Sequence, residues 1–325
     1  MYCSFDRGKQ KKRVIDLGRW TGSYGIMLTP FDAYGKVDYR VLEAQVDALC
    51  GTEIDGIVVC GSTSEFLFCS ERDNMKIMSV AVETARGRKE IVGGATSPGR
   101  DAAKRYLTHM SSVGIQSALV APPYYYKHSE EEIALFYREI SEDNRGVDIV
   151  AYNIPAFTNP ITERVYQSLL GFENVKGIKN SGQNIKEISN QIQMKNEVRP
   201  RFVVLTGTEE AFLPCLAAGC DGAFTAFGAL MPDYMKAIHR LFMAGDYIQA
   251  RQMQLDILPL LRLCAGVSFP VGYKLLGKVL GQPFSYIPQS IPEEEKQNFR
   301  ILEDQMKKEV LAIRVIRRKI TVPRE

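Results

Sequence analysis

The stretch GIVVCGSTSEFLFCSERDNMKIMSVAVETARGRKEIVGG, residues 56–94, decides the fold. Short apolar runs rich in β-branched residues stand at both of its ends, Gly56–Cys60 and Glu90–Gly94, and such runs are typical of buried strands. Between them, Glu71–Ala85 carries apolar residues at helical spacing, which predicts an amphipathic helix. Two strands joined through a helix form the basic unit of a parallel sheet.

This unit repeats along the chain from about residue 20 to residue 244. The same apolar pattern predicts further strands at Tyr24–Thr29, Ser117–Ala121, Asp148–Asn153, Val175–Lys179, Phe202–Thr206 and Gly222–Ala226. Helical patterns separate the strands, for example at Tyr39–Cys50, Ala102–Val113, Glu130–Glu142, Ile185–Met194 and Glu210–Ala218. Eight strand–helix repeats predict a (β/α)₈ TIM barrel. A doubly wound open sheet is the alternative, but it normally carries a Gly-x-Gly-x-x-Gly turn, and none follows the first strand.

The pattern changes after Ala244, where no further strand is predicted. Helices are predicted there at Asp246–Cys264, Pro270–Leu280 and Pro292–Arg318. We therefore divide the chain into an N-terminal extension (1–19), a catalytic barrel (20–244) and a C-terminal helical segment (245–325). The extension is polar and basic, and it lacks the apolar core of a signal peptide.

The composition is that of an ordinary globular protein, with 45% hydrophobic and 24% charged residues among 325. Lys and Arg total 41 against 38 Asp and Glu, and this net charge of +3 predicts no nucleic-acid partner. No apolar run reaches the roughly 18 residues of a membrane span, so we expect a cytoplasmic protein. Seven cysteines without regular spacing and three scattered histidines predict neither a disulfide framework nor a metal site.

Reactive side chains stand where the predicted strands end, and barrel enzymes place their active sites there. In the sixth strand, alternation puts Lys179 on the same face as Gly177, pointing into the barrel mouth. An apolar wall favours the neutral amine of a lysine, which can attack a ketone and form a Schiff base. Tyr152, near the end of the fifth strand, is placed to carry protons. The alternatives are a surface lysine in a turn and a tyrosine that packs at the rim.

The ends of strands two and seven carry further polar groups. Ser62 and Thr63 lie in a glycine-led turn whose hydroxyl and backbone N–H donors suit a carboxylate. An ordinary helix N-cap is the alternative there. Glu209 and Glu210 follow a glycine and are placed to accept hydrogen bonds from sugar hydroxyls. The alternative is a pair of acids at a helix N-terminus, where the dipole favours them.

Taken together, the ordered motifs resemble the pyruvate-dependent class I aldolase family of dihydrodipicolinate synthase and N-acetylneuraminate lyase. The resemblance covers about residues 20 to 300. Its motifs are Thr29-Pro30-Phe31, Gly61-Ser62-Thr63-Ser64-Glu65, Pro123-Tyr124-Tyr125-Tyr126-Lys127, Tyr152-Asn153-Ile154-Pro155, Gly177-Ile178-Lys179, Gly222-Ala223-Phe224 and Pro270 with Lys274.

The resemblance implies a role for each of five side chains. Lys179 is implied to be the Schiff-base lysine and Tyr152 the general acid and base. Ser62 would join a hydroxyl relay, and Ser62 with Thr63 would hold the carboxylate of a small-molecule 2-oxo acid. Tyr125 looks like the tyrosine that a subunit lends to its neighbour's site, since family members are mostly homotetramers arranged as dimers of dimers. The resemblance implies no metal and no cofactor, because the iminium itself is the electron sink.

The site motifs are closest to those of N-acetylneuraminate lyase. Phe157 stands where dihydrodipicolinate synthases usually carry an arginine, and an apolar ring cannot replace a guanidinium. Gly207-Thr208-Glu209-Glu210 resembles the sugar-binding Gly-x-Asp-Glu motif of the lyases. The resemblance implies cleavage of a 2-oxo sugar acid, N-acetylneuraminate first, into pyruvate and an aldehyde. The substrate-binding residues that it implies are Thr63, Ser181, Gly207, Glu209, Glu210 and Phe224.

Three residues depart from the family pattern. Ser64 stands where the family has glycine, Glu209 replaces an aspartate, and Ala226 replaces a serine that contacts the sugar in sialic acid lyases. Three alternatives therefore stay open. They are a 2-oxo-3-deoxy sugar-acid aldolase or dehydratase, a dihydrodipicolinate synthase, and a non-catalytic regulator that binds a 2-oxo acid.

Overall fold

The computed structural model describes residues 19–143, 146–284 and 286–320, with side chains as far as Ile313. Eight parallel strands close into a barrel, because β1 pairs with both β2 and β8. The strands are β1 (Gly22–Ile26), β2 (Gly56–Val59), β3 (Glu90–Gly94), β4 (Ser117–Val120), β5 (Asp148–Asn153), β6 (Val175–Asn180), β7 (Val203–Thr206) and β8 (Gly222–Thr225). The predicted (β/α)₈ barrel is confirmed.

Helices alternate with the strands and continue after β8. They are α1 (Tyr39–Cys50), α2 (Glu71–Ala85), α3 (Arg100–Val113), α4 (Glu130–Asp143), α5 (Glu163–Leu169), α6 (Ile185–Val198), α7 (Phe212–Ala218), α8 (Ala226–Leu230), α9 (Pro232–Met243), α10 (Tyr247–Ala265), α11 (Val271–Val279) and α12 (Glu293–Ile320). A 3₁₀ turn at Phe66–Phe68 precedes α2. Across the ranges given above, no helix combines the length and the apolar character needed to cross a membrane.

All predicted C-terminal strand ends except Thr29 lie within one residue of the observed ends, and two of the differences have identifiable reasons. The prediction Tyr24–Thr29 runs past the end of β1, because residues such as Leu28 stay buried after the chain has left the sheet. The eighth predicted strand includes Ala226, which is the first residue of α8. Thr225 caps that helix, since its hydroxyl accepts a hydrogen bond from Gly228 N at 3.2 Å.

The N-terminal end of the barrel is filled by side chains. Trp20 Nε1 donates to Ser117 Oγ at 3.0 Å, and the Tyr24 hydroxyl donates to Glu90 at 2.8 Å. The Tyr24 ring packs against Phe224, with 4.8 Å between ring centroids. This packing closes the barrel from below, so a ligand reaches the interior from the C-terminal ends of the strands.

The C-terminal helices pack on the last helices of the barrel. Phe227 of α8 shares one buried cluster with Ile257 of α10, Leu275 of α11 and Met306 of α12. The C-terminal segment therefore covers one side of the barrel and shares a core with it. The division of the chain after residue 244 remains a prediction. The predicted extension lies outside the described residues, except for Arg19, which begins them.

Candidate active site

A buried lysine lies against a tyrosine near the C-terminal ends of two neighbouring strands. Lys179 and Tyr152 are partners in the register of β6 and β5, so their side chains emerge side by side. The Lys179 Nζ atom lies 3.9 Å from the centroid of the Tyr152 ring. Lys179 is only 2% exposed, and Tyr152 belongs to the cluster that fills the barrel. Lys179 is therefore not a surface lysine in a turn.

Gly207, which follows β7, leaves the space that the Lys179 stem occupies. A Cβ atom at this position would lie 2.5 Å from Lys179 Cε, closer than real Cβ contacts come. The Ser181 hydroxyl lies against the same position, and it has no hydrogen-bond partner among the described residues. Glycine is therefore needed here for the observed positions of the Lys179 and Ser181 side chains, and not for a special backbone conformation.

Two asparagines on the opposite faces of the same strands hold the strand ends together. Asn153 and Asn180 are register partners, and both side-chain amides donate to Glu187 Oε1 of α6, at 2.9 Å and 2.8 Å. Asn153 Oδ1 in turn accepts from Ile161 N at 2.9 Å. None of these three side chains is among the site residues predicted from the sequence. The signal for this network was an asparagine directly after each predicted catalytic residue, because alternate side chains point to opposite faces of a strand.

The turn after β2 places Ser62 at the barrel mouth and buries Thr63 and Ser64. The Ser64 hydroxyl donates to Met27 O at 2.5 Å and accepts from Gly61 N at 3.1 Å. The side chain that stands in place of the family's glycine therefore adds hydrogen bonds to the turn.

A buried ion pair joins this turn to the C-terminal segment. Glu65 Oε2 lies 2.5 Å from Lys274 Nζ of α11. Burial raises the pKa of Glu65 and lowers that of Lys274, and the opposite charge of each partner counteracts the shift. Glu65 also has a φ of 59°, an uncommon value for a residue with a side chain. The ion pair therefore secures a strained turn beside the predicted carboxylate-binding residues.

The Glu209 carboxylate is buried and caps α8. Its Oε1 accepts hydrogen bonds from Ala226 N at 2.9 Å and Phe227 N at 3.2 Å. Burial, and then the neighbouring charge of Glu210, raise the pKa of Glu209 to about 7. Glu210 itself is exposed. Glu209 thus caps a helix, but this helix is α8 and not the predicted helix that directly follows the two acids. Sugar binding by these two acids stays a prediction.

The free energy of unfolding is expected to depend less on pH in the Glu209→Gln variant than in the wild type. The pKa of Glu209 rises from 4.5 to about 7 on folding, so the folded state favours the protonated acid. The stability due to this protonation is complete below about pH 4.5 and is lost as the pH rises through about 7, by roughly 3 kcal/mol. Urea unfolding at about pH 5 and about pH 8 measures the effect. Equal losses of unfolding free energy in the two proteins would contradict it.

Two further predicted residues lie apart from the buried pair. Tyr125 is 89% exposed, has a φ of 79° and packs edge-on against Tyr126, with 5.2 Å between ring centroids. Phe224 is fully buried and packs on Tyr24 inside the barrel. Phe224 is therefore part of the core, and the binding roles of both residues stay predictions.

An open cleft with a volume of about 230 Å³ lies at the C-terminal ends of β2 to β5. Ser62 and Ile154 line it, and Ile154 also belongs to the interior cluster that contains Tyr152. Phe157 and Phe269 form part of its wall, with 5.5 Å between their ring centroids. The cleft thus adjoins the buried amine and phenol, although these two groups do not line it.

The reactive groups of this region are an amine, a phenol and hydroxyls. Within the described ranges, no group of three or more His, Cys, Asp or Glu side chains is placed to hold a metal ion. An amine beside a phenol can form an imine with a carbonyl compound and move protons around it. The hydroxyls and backbone N–H groups of the turn after β2 suit the carboxylate of such a compound.

Known proteins match most of the chain. The sequence profile of the dihydrodipicolinate synthetase family matches residues 19–306. The 4-hydroxy-tetrahydrodipicolinate synthase of Methanosarcina barkeri is 27% identical over 290 residues, which are 88% of this chain and 97% of that protein. The 2-dehydro-3-deoxy-D-gluconate/2-dehydro-3-deoxy-phosphogluconate aldolase of Picrophilus torridus is 28% identical over 253 residues, 76% and 91% of the two chains. The crystal structure of dihydrodipicolinate synthase from Aquifex aeolicus has a TM-score of 0.83 and 26% identity, and the match covers 89% and 98% of the two chains.

Proposed function

The chain belongs to the dihydrodipicolinate synthetase family, and we propose that it is a Schiff-base aldolase that cleaves a 2-oxo acid into pyruvate and an aldehyde. Its relatives include a synthase and an aldolase, and the protein is a carbon–carbon lyase. One observation carries the finer proposal: the buried Lys179 amine lies over the Tyr152 ring. A lysine removed from water beside a phenol is equipped for imine chemistry.

In this reaction, Lys179 attacks the C2 carbonyl of the substrate, and loss of water leaves an iminium. Tyr152 accepts the proton of the C4 hydroxyl as the C3–C4 bond breaks, and the electron pair of that bond flows into the iminium. The C4 half departs as an aldehyde, and Tyr152 returns the proton to C3. Ser62 and Thr63 hold the carboxylate throughout. Water then releases pyruvate and restores the lysine.

The candidate substrates differ in the half that becomes the aldehyde. The site motifs predict N-acetylneuraminate first, but the two relatives described above are named as a synthase and a sugar-acid aldolase and do not support it. Dihydrodipicolinate synthesis needs a cation where Phe157 instead packs against Phe269. We therefore propose pyruvate as one product. The other product is an aldehyde, and the residues that line the cleft indicate its chemical class.

A non-catalytic regulator was a further alternative, and its motive was the serine at position 64. Ser64 bonds to Met27 and Gly61 around its turn, so its presence is compatible with an intact site. Turnover is therefore the function that we propose.

The proposal includes a homotetramer in which Tyr125 reaches the neighbouring subunit's site. Tyr125 and Tyr126 are 89% and 73% exposed, and adjacent exposed rings are typical of a surface that another chain covers. The left-handed backbone of Tyr125 is costly, and such strain is found mostly at functional positions. Sedimentation velocity checks this assembly, and a monomer at assay concentration would contradict it. A cytoplasmic location likewise remains a prediction.

Trapping the imine tests the proposed chemistry directly. The protein is incubated with pyruvate and reduced with borohydride, and the modified peptide is then mapped by mass spectrometry. We expect one reduced pyruvate adduct per subunit, on Lys179, because only an amine that forms the imine becomes alkylated. Borohydride without pyruvate is the control. A folded protein that gains no adduct, or gains it on a different lysine, contradicts the proposal.

A further inference from the structure

Apolar side chains form most of the wall of the cleft at the barrel mouth. Phe66, Leu67 and Phe68 of the 3₁₀ turn contribute one part of it, and Phe157 and Phe269 contribute another. Leu67, Phe68, Phe157 and Phe269 are 63%, 51%, 54% and 44% exposed, and all four face this one cleft. Large apolar side chains that converge on one cleft of a few hundred cubic ångströms are typical of a small-molecule site.

Three of the six polar side chains that line the cleft already have partners inside the protein. Thr96 Oγ1 accepts from Ala121 N at 3.0 Å, and Thr158 Oγ1 donates to Ile154 O at 3.3 Å. The Glu65 carboxylate is paired with a buried lysine. These groups are therefore not available to a ligand without loss of bonds that the fold uses.

Three polar side chains of the lining remain for a ligand. The Ser62 hydroxyl is one, and the proposed reaction assigns it to the carboxylate of the 2-oxo acid. The phenol of Tyr124 is the second. Gln289 is the third, since its Oε1 atom is buried without a hydrogen-bond partner in the described part of the chain. A tail with several hydroxyl groups would leave most of them unpaired, and an unpaired buried hydroxyl weakens binding.

The cleft also lacks a cation for an anionic tail. None of the described residues that line it is a lysine or an arginine. A phosphate or a second carboxylate placed there would be removed from water without a counter-charge. The lining thus disfavours both polyhydroxylated and anionic aldehydes.

We infer that the substrate is a 4-hydroxy-2-oxo acid whose C4 carries an aromatic or bulky aliphatic group, an inference that rests on the proposed aldolase function. The C3–C4 bond breaks, its electron pair enters the iminium, and the C4 hydroxyl proton passes to Tyr152 and then to C3. The products are pyruvate and an apolar aldehyde, and no oxidant or reductant takes part. The aldehyde's ring or chain packs on Phe157 and Phe269.

Condensation of pyruvate with two aldehydes tests this inference. Benzaldehyde represents the apolar class and glyceraldehyde the hydroxylated class, and consumption of pyruvate gives kcat/KM for each. We expect kcat/KM to be at least about tenfold higher for benzaldehyde, which is the scale of discrimination that apolar pockets provide. An equal or lower value for benzaldehyde, in a protein that forms the pyruvate adduct, overturns the inference and leaves the aldolase function standing. Absence of the adduct overturns the aldolase function itself, and the inference with it.

A substitution in the cleft wall tests whether that wall causes the preference for an apolar aldehyde. Phe157→Ser is expected to reduce the benzaldehyde-to-glyceraldehyde ratio about tenfold while the yield of the pyruvate adduct stays unchanged. Tyr247→Ser is the matched control, because Tyr247 is an exposed ring on α10 that does not line the cleft. Thermal melting checks that both variants fold. An unchanged ratio in a folded Phe157→Ser protein would show that Phe157 does not contact the aldehyde, and the inference would then be wrong.

Discussion

Lys179→Ala is expected to abolish turnover and the borohydride-trapped adduct together. Without the amine no iminium forms, and the C3–C4 electron pair has no acceptor. Enzymes commonly accelerate their reactions by about 10⁶-fold or more, so we expect a loss of at least roughly 10⁴-fold in kcat/KM. Turnover is measured as the release of pyruvate from the 2-oxo acid substrate, relative to a protein-free blank. Activity above the blank would exclude the imine mechanism.

Two variants separate lost chemistry from lost folding in this experiment. Lys179→Met keeps most of the buried stem against Tyr152, so it should melt close to the wild type and still be inactive. Lys176→Ala is the matched control, since Lys176 lies on the same strand but on the opposite, half-buried face. We expect Lys176→Ala to keep its activity and its adduct. An inactive Lys176→Ala protein would show that damage to strand β6, and not removal of the Lys179 amine, causes the loss of activity.

Gly207→Ala is expected to lower kcat/KM by about 100-fold or more while the protein still folds. The added methyl group would lie 2.5 Å from Lys179 Cε, so the lysine must leave the position in which it faces Tyr152. A displacement of about 1 Å of a reacting group commonly costs about 100-fold in rate. The nearest atoms belong to side chains and not to the backbone, which is why the barrel can accept the change. Initial rates and adduct yield measure the effect.

The controls for this variant use the surroundings of the same glycine. Gly99→Ala adds a methyl group where nothing lies within 4 Å, so it should keep its activity. The double variant Gly207→Ala with Ser181→Ala removes the hydroxyl that also meets the new methyl group, but it leaves the contact with Lys179. We therefore expect the double variant to stay impaired. Full recovery would show that Ser181, and not the lysine, transmits the change.

The barrel could be predicted from the sequence because each strand–helix unit carries its own apolar pattern. The regions of Lys179 and Tyr152 could also be predicted, since a position within a strand fixes which face a side chain takes and parallel strands end together. The role of Glu209 was harder to predict. Its carboxylate caps a helix that begins far along the chain, at Ala226, and a local pattern does not contain that contact.

The cleft could not be predicted for a related reason. Its wall combines the 3₁₀ turn after β2, the loop after β5 and the C-terminal segment, where Phe269 lies. From the sequence, Phe157 indicates only that the arginine usual in dihydrodipicolinate synthases is missing. In the structure Phe157 is one of two packed rings and gives the cleft its apolar character. Such character depends on side chains that only the folded chain brings together.

The ion pair between Glu65 and Lys274 makes the barrel unsuitable as a transferable catalytic module. A chain cut after residue 244 would keep Glu65 beside Ser62 and Thr63 but would lose its cation. Removing one partner of a buried ion pair commonly costs about 3–5 kcal/mol. When relatives recombine, the turn after β2 and the helix α11 should therefore be exchanged together, although more than two hundred residues separate Glu65 from Lys274.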